Sequence, residues 1–178
     1  MSGDYNNRTA TNGNYFTGCL ARVEVNAMIH HNLSLTIPLE VQTQISAHAR
    51  AQYPRECCGL LLGSPARLNG NILEVERSLA ATNHAAAADQ RFAYAIDSRF
   101  WLQQDRLAAA AGLEILGIYH SHPDHPAVPS ATDLRLAWPV YVYLIVSVAP
   151  VGPTALRGWI LNPAANQFVE VAVRTPHP

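Results

Sequence analysis

Apolar positions along this chain follow two rhythms. From Pro38 on, Val41, Ile45, the His48/Ala49 pair and Gln52 recur at helical spacing, and Pro38 suits a first turn. Tyr53-Pro54 closes that helix, because the residue before a proline is pushed toward extended backbone. Trp101, Leu107, Ala108 and Ala111 mark a second helix, with Asp97 or Ser98 as its N-cap and Gly112 as its stop. Between and after the helices lie short apolar runs that read as strands, at 57–62, 72–79, 115–120, 140–148, 156–161 and 168–173. The first two pair as a hairpin. A weaker strand is predicted at 92–96, a short helix opening at Ser130, and a last turn at 162–166.

The order places one helix early, one in the middle, and strands at the end. It predicts an α/β sandwich around one central mixed sheet flanked by helices, rather than a doubly wound parallel fold. No internal repeat is visible. Residues 1–34 differ from the rest, being rich in Asn, Gly, Thr and Ser, which is the composition of a tail. A short strand at 19–25 is expected within them, and Met28 is an alternative start. The domain is expected to span 35–175.

Composition narrows the setting. Hydrophobic residues make up 49% and charged residues 14%, so most of the 178 residues should fold around a core. The formal net charge is −1 and there is no basic stripe, so no nucleic-acid partner is expected. The three cysteines, Cys19, Cys57 and Cys58, are odd in number with two adjacent, a poor disulfide framework. A reducing, cytoplasmic compartment is the simpler expectation, and the polar N-terminus has no signal-peptide core. The charge-free stretch 136–156 is long enough to span a bilayer. It also holds Pro139, Pro150, Gly152 and Pro153 around a β-branched centre, so a buried strand between turns is predicted and no membrane association.

The chemistry concentrates after the run 115–119. His120 and His122 stand two apart, and in a strand such residues share a face. Asp133 follows within one loop and the start of a helix. Two imidazoles and a carboxylate suit zinc with a fourth position left for water. Ser130 and Asp133 also form the Ser-x-x-Asp signature of a capping box, and the two roles need not exclude each other. Glu56, beside Pro54 and Arg55, reads either as a solvated loop acid or, near a metal, as the base that hydrolysis needs. Cys57 and Cys58 have three readings, as core residues, nucleophiles or ligands. Without CxxC spacing, core is the simplest. HExxH and the deaminase pattern H-x-E with P-C-x-x-C are absent. Asp124 and His125 lie beside the site and are further candidate ligands, but Asp124 is expected in the turn and His125 is better placed to line a substrate groove. His30, His31, His48, His84 and His177 read as surface residues, and Trp138, Tyr141 and Tyr143 as core or sheet-face aromatics.

Glu56 followed by His120-Ser121-His122, seven residues, Ser130, two residues and Asp133 resembles the signature of the JAMM (MPN+/JAB1) metalloproteases. Pro54-Arg55-Glu56-Cys57-Cys58-Gly59 is similar to the P-x-E-x-C-G opening of the small prokaryotic members. The resemblance covers about 35–173 and implies the MPN, cytidine-deaminase-like, sandwich. It implies that His120, His122 and Asp133 hold Zn²⁺, that Glu56 moves the proton of the attacking water, and that Ser130 bonds the developing oxyanion. It further implies a partner, the C-terminal tail of a ubiquitin-like β-grasp protein, cut in sulfur-carrier processing or in deconjugation. An extended tail could add to a sheet edge near the metal. The alternative is a non-catalytic MPN scaffold.

Overall fold

The computed structural model describes residues 33–64 and 72–176. The predicted strand at 19–25, the alternative start at Met28, Cys19, and His30, His31 and His177 lie outside them. Within the described residues the order is β1 (Ser34–Thr36), α1 (Leu39–Gln52), β2 (Cys58–Gly63), β3 (Ile72–Ala81), α2 (Ser98–Ala110), β4 (Glu114–Pro123), α3 (Ala131–Leu136), β5 (Val142–Ala149), β6 (Gly152–Asn162) and β7 (Gln167–Arg174). The helices and six main strands fall where the pattern puts them, and β2 and β3 pair antiparallel as the expected hairpin. The charge-free stretch becomes a turn, β5 and the start of β6. Among the described residues no helix is long and apolar enough to cross a membrane.

The sheet is mixed, in the order β1-β3-β2-β4-β5-β6-β7. It closes on itself through β1, a three-residue strand parallel to both β3 and β7. The sandwich expected from the sequence is thus present with an added closure. β1 begins at Ser34, where the polar tail was expected to end.

The central strands are buried on both faces, and alternation sorts their side chains. Leu61, Tyr119, Leu144 and Val146 pack with Val41 and Ile45 of α1. Leu60, Ile118, Tyr143 and Ile145 pack with Ala108 of α2 and Trp159 of β6. Burying one such side chain contributes about 2 kcal/mol, so register is strongly held where both faces are covered. Gly59 is required by a close approach. A Cβ there would meet the Leu79 carbonyl and the ring of the fully buried Tyr119.

The predicted strand at 92–96 does not form. The Asn83 side chain bonds the Ala93 carbonyl and the Ala95 N–H, and only the His84 N–H to Ala95 carbonyl bond is ladder-like. A side chain takes the bonds a strand partner would make. The segment runs irregularly into α2, whose N-cap Asp97 accepts the N–H groups of Arg99 and Phe100.

Candidate active site

His120 and His122 close β4 on the α2 face, and Ser121 between them faces α1. Their side chains reach Asp133 in the first turn of α3. His120 Nε2 lies 3.0 Å from His122 Nε2. The Asp133 oxygens Oδ1 and Oδ2 stand 3.3 Å from His120 and 3.4 Å from His122. Corners of a tetrahedron around an ion with bonds near 2.0 Å are about 3.3 Å apart. The three residues form a group able to hold a metal ion, and the residue types suit zinc. His122 Nδ1 donates to the Pro126 carbonyl at 3.0 Å, which leaves Nε2 as the ligating nitrogen of the neutral ring. His120 Nδ1 is buried without a hydrogen-bond partner. The Tyr94 ring stacks on His120, with centroids 4.6 Å apart, and sets its plane.

The capping box forms as predicted and serves the site. Ser130 Oγ accepts the Asp133 N–H at 3.1 Å and donates to Asp133 Oδ2 at 2.6 Å. The Ser130 N–H donates to the same oxygen at 2.7 Å. These bonds hold the carboxylate rigid and leave Oδ1 free of the cap.

Glu56 is not a solvated loop acid. It is only 5% exposed, just before β2. Its N–H donates to the Gln90 carbonyl at 2.6 Å, and its carbonyl accepts the Asn83 amide at 3.1 Å. Burial pushes its carboxyl up to about 8; nearby His122 pulls it down and Asp133 pushes it up. The cluster itself is polarised. Burial would raise Asp133, but its bonds to His120 and His122 hold it well below the usual carboxylate range. Burial lowers His120. Burial also works against a charged His122, yet its bonds to Asp133 and Pro126 raise it above the ordinary value. Of the two histidines, His122 is thus the one that its surroundings favour for a proton in the metal-free cluster. A buried carboxylic acid beside a two-His, one-Asp group is the constellation of a metal-dependent hydrolase.

Comparison with known proteins agrees. Residues 38–161 match the family of prokaryotic homologs of the JAB domain. The chain belongs to this family. Among relatives of this JAB-domain protein is the desampylase of Haloferax volcanii, 35% identical over 144 residues, covering 78% of this chain and 94% of that one. The CysO-cysteine peptidase of Mycobacterium tuberculosis is 35% identical over 114 residues, 64% of this chain and 73% of that one. A solution structure of a Desulfitobacterium hafniense protein superposes with a TM-score of 0.69 at 30% identity, covering 81% of this chain and 94% of that chain. The motif-based resemblance, the α/β class and the JAMM metallopeptidase class are borne out.

Around the JAB-domain site other expectations divide. Cys57 and Cys58 are buried core, with thiols pushed by burial up to about 11 and about 12, far from a thiolate nucleophile. His48 is not a free surface residue, because its Nδ1 meets the Tyr119 hydroxyl at 2.9 Å. His84 remains exposed. Tyr143 is core and Tyr141 half-buried, but Trp138 is 66% exposed. Trp138 stands with Leu136, Tyr94, Ile96 and Trp101 along a groove of about 570 Å³ that reaches Asp133. α3 is too short to cover Trp138 as a core residue. His125 does not line the groove itself but sits against Phe92, which does. Asp124 is in a turn, as predicted, with φ of 58°. Asn83, Gln90 and Tyr94 went unremarked in the sequence. Only the chance occurrence of side-chain amides in a small-residue loop hints at the first two.

Proposed function

We propose that this chain is a zinc-dependent peptidase or isopeptidase that hydrolyses the bond following the C-terminus of a ubiquitin-like β-grasp protein. The observation that carries the reading is the three ligand side chains, whose two imidazole nitrogens and carboxylate oxygens lie 3.0–3.4 Å apart, beside a buried Glu56. The names of the desampylase and the CysO-cysteine peptidase support the substrate class. His120, His122 and Asp133 are assigned as metal ligands, Glu56 and Ser130 as the catalytic pair, and 35–175 as the catalytic domain. The family's zinc, when bound, supplies Lewis acidity and lowers the pKa of a water so that a nucleophile exists at neutral pH.

The remaining steps belong to the chain. Glu56 takes the proton of the attacking water on its carboxylate and delivers it to the leaving amine. Positive charge held by the cluster favours its ionised form, and a base whose pKa lies near the working pH serves both transfers. Ser130 is exposed, and its hydroxyl, turning its one proton away from Asp133 Oδ2, is the neutral donor assigned to the developing oxyanion. Such a donor commonly contributes about 3 kcal/mol to barrier lowering. His122 is held in its ligating tautomer by Pro126. The substrate tail is assigned to the groove that ends at Asp133. Strand addition next to the metal, expected from the sequence, would use the end of β4. Among the described residues β2 and β5 have sheet partners on both sides, whereas β4 pairs with β2 only as far as His120 and has β5 alone beside Ser121, His122 and Pro123. Tyr94, Ile96, Trp101 and Trp138 offer an extended tail apolar contacts as well. A cytoplasmic setting fits two buried cysteines that remain free.

The test is cleavage of β-grasp carriers ending in Gly-Gly, fused to a peptide or joined to a lysine side chain, by zinc-loaded protein. Cutting that stops with chelator and in Glu56→Gln is expected. Carriers left intact by wild type under both linkages would overturn the reading in favour of a scaffold. Release from one linkage only would separate carrier processing from deconjugation.

A further inference from the structure

Asp124 is the first residue beyond β4, two positions after His122. Its φ of 58° turns the chain sharply out of the strand. Its N–H donates to the Val148 carbonyl at 2.8 Å, so the turn is anchored to β5. That conformation sends its carboxylate to two separate elements. Both oxygens accept the Tyr53 hydroxyl at 3.1 Å, and Oδ2 also takes Arg91 Nη2 at 2.8 Å.

Those two partners flank Glu56. Tyr53 caps α1 and precedes Glu56 by three residues. Arg91 follows Gln90, whose carbonyl holds the Glu56 N–H. The Gln90 side chain is in turn bonded to the carbonyls of Asn83 and Ala85, so this loop moves as a braced unit. One carboxylate thus joins the end of the histidine strand to both approaches to the buried acid. Nothing in the hydrolytic signature requires an acid at 124.

We infer that Asp124 is a positioning residue that sets Glu56 over the metal cluster through Tyr53 and Arg91. The inference rests on the assignment of Glu56 as the base. Asp124 itself is one-third exposed at its side chain and touches neither ligand nor groove. Its effect on the reaction would pass through the placement of a proton acceptor. Proton transfer is sensitive to sub-ångström placement, so a loosened Glu56 lowers turnover more than substrate affinity.

The experiment uses the full chain. Amide hydrogen exchange is measured in wild type and Asp124→Ala, with Leu144 and Val146 in the core as controls. The expected result is exchange at Glu56 at least tenfold faster and the controls unchanged. On a fluorescent peptide fused to a β-grasp carrier, kcat should fall about tenfold, with KM and bound zinc unchanged. In a Glu56→Gln background the same substitution should remove nothing further. Tyr53→Phe and Arg91→Gln each cut one arm without disturbing the turn and should give part of the loss, which covers the case where Asp124→Ala folds poorly. Unchanged exchange at Glu56 overturns the inference, as does an equal kcat loss in the Glu56→Gln background. If Glu56→Gln itself cleaves normally, the base assignment fails, and the exchange result alone decides whether Asp124 fixes this segment.

Discussion

Ser121 Oγ accepts the Cys57 N–H at 2.8 Å, and the Ser121 N–H donates to the Cys57 carbonyl at 3.1 Å. This reciprocal pair carries the β2–β4 ladder one step past its last paired residues, Cys58 and His120. Glu56 is the next residue along, so its approach to the cluster is set from the opposite face of the histidine strand. The middle residue of His-Ser-His is therefore structural in a specific sense: it fixes where the acid emerges.

Ser121→Ala should leave the buried Cys57 N–H without its acceptor. A loss of about 1–3 kcal/mol is expected, visible as a lower urea midpoint at unchanged m-value.

Glu56→Gln should stabilise the metal-free protein at alkaline pH. Burial raises the folded-state value to about 8 from an ordinary 4.5. The contribution is thus complete below 4.5, declines as pH rises toward 8, and is flat above it. Wild type should lose stability relative to the variant across that interval, by about 5 kcal/mol at most. Denaturation of both proteins with chelator at pH 5 and pH 8 tests it, and identical pH profiles would refute it.

Zinc affinity should weaken as pH falls. His122 is raised above its ordinary value, so its proton favours the metal-free fold at low pH, and that contribution fades as pH rises through the folded value. Metal must displace this proton, which costs roughly tenfold in affinity per pH unit below the folded value. Titration against a competing chelator at several pH values reads the slope. His122→Ala should bind no zinc at micromolar concentration.

Trp138→Ala should separate binding from folding. The side chain is 66% exposed, so stability should change by no more than about 0.5 kcal/mol. If the groove holds the substrate tail, KM rises several-fold with kcat little changed. Unaltered steady-state kinetics would place the tail elsewhere.

Much of the fold was legible because its strands and helices carry clean periodicities. Alternate burial of Leu60 and Leu61, or Ile118 and Tyr119, shows a sheet covered on both faces, which an apolar run already suggests. The segment 92–96 misled because its apolar spacing is strand-like while its backbone bonds go to the Asn83 side chain. β1 has no sequence signal of its own, because three residues are too few to show a period. Trp138 lies on a groove rim rather than in the core, a difference that aromatic character alone does not encode.

What the sequence determined by itself was the candidate metal set and its helix cap. His120 and His122 share a face because strand geometry alternates, and Ser130 and Asp133 meet because a helix turn brings N-cap and third residue together. These are local consequences of backbone geometry. Only the tertiary structure decided the fate of Glu56, Asp124, His48 and Tyr94. Each depends on a partner brought close by sheet closure or loop packing: Gln90, Tyr53 with Arg91, Tyr119, and His120. Burial turns Glu56 from an ordinary acid into one poised near neutral pH, and burial depends on the whole fold around a residue rather than on its neighbours in the chain.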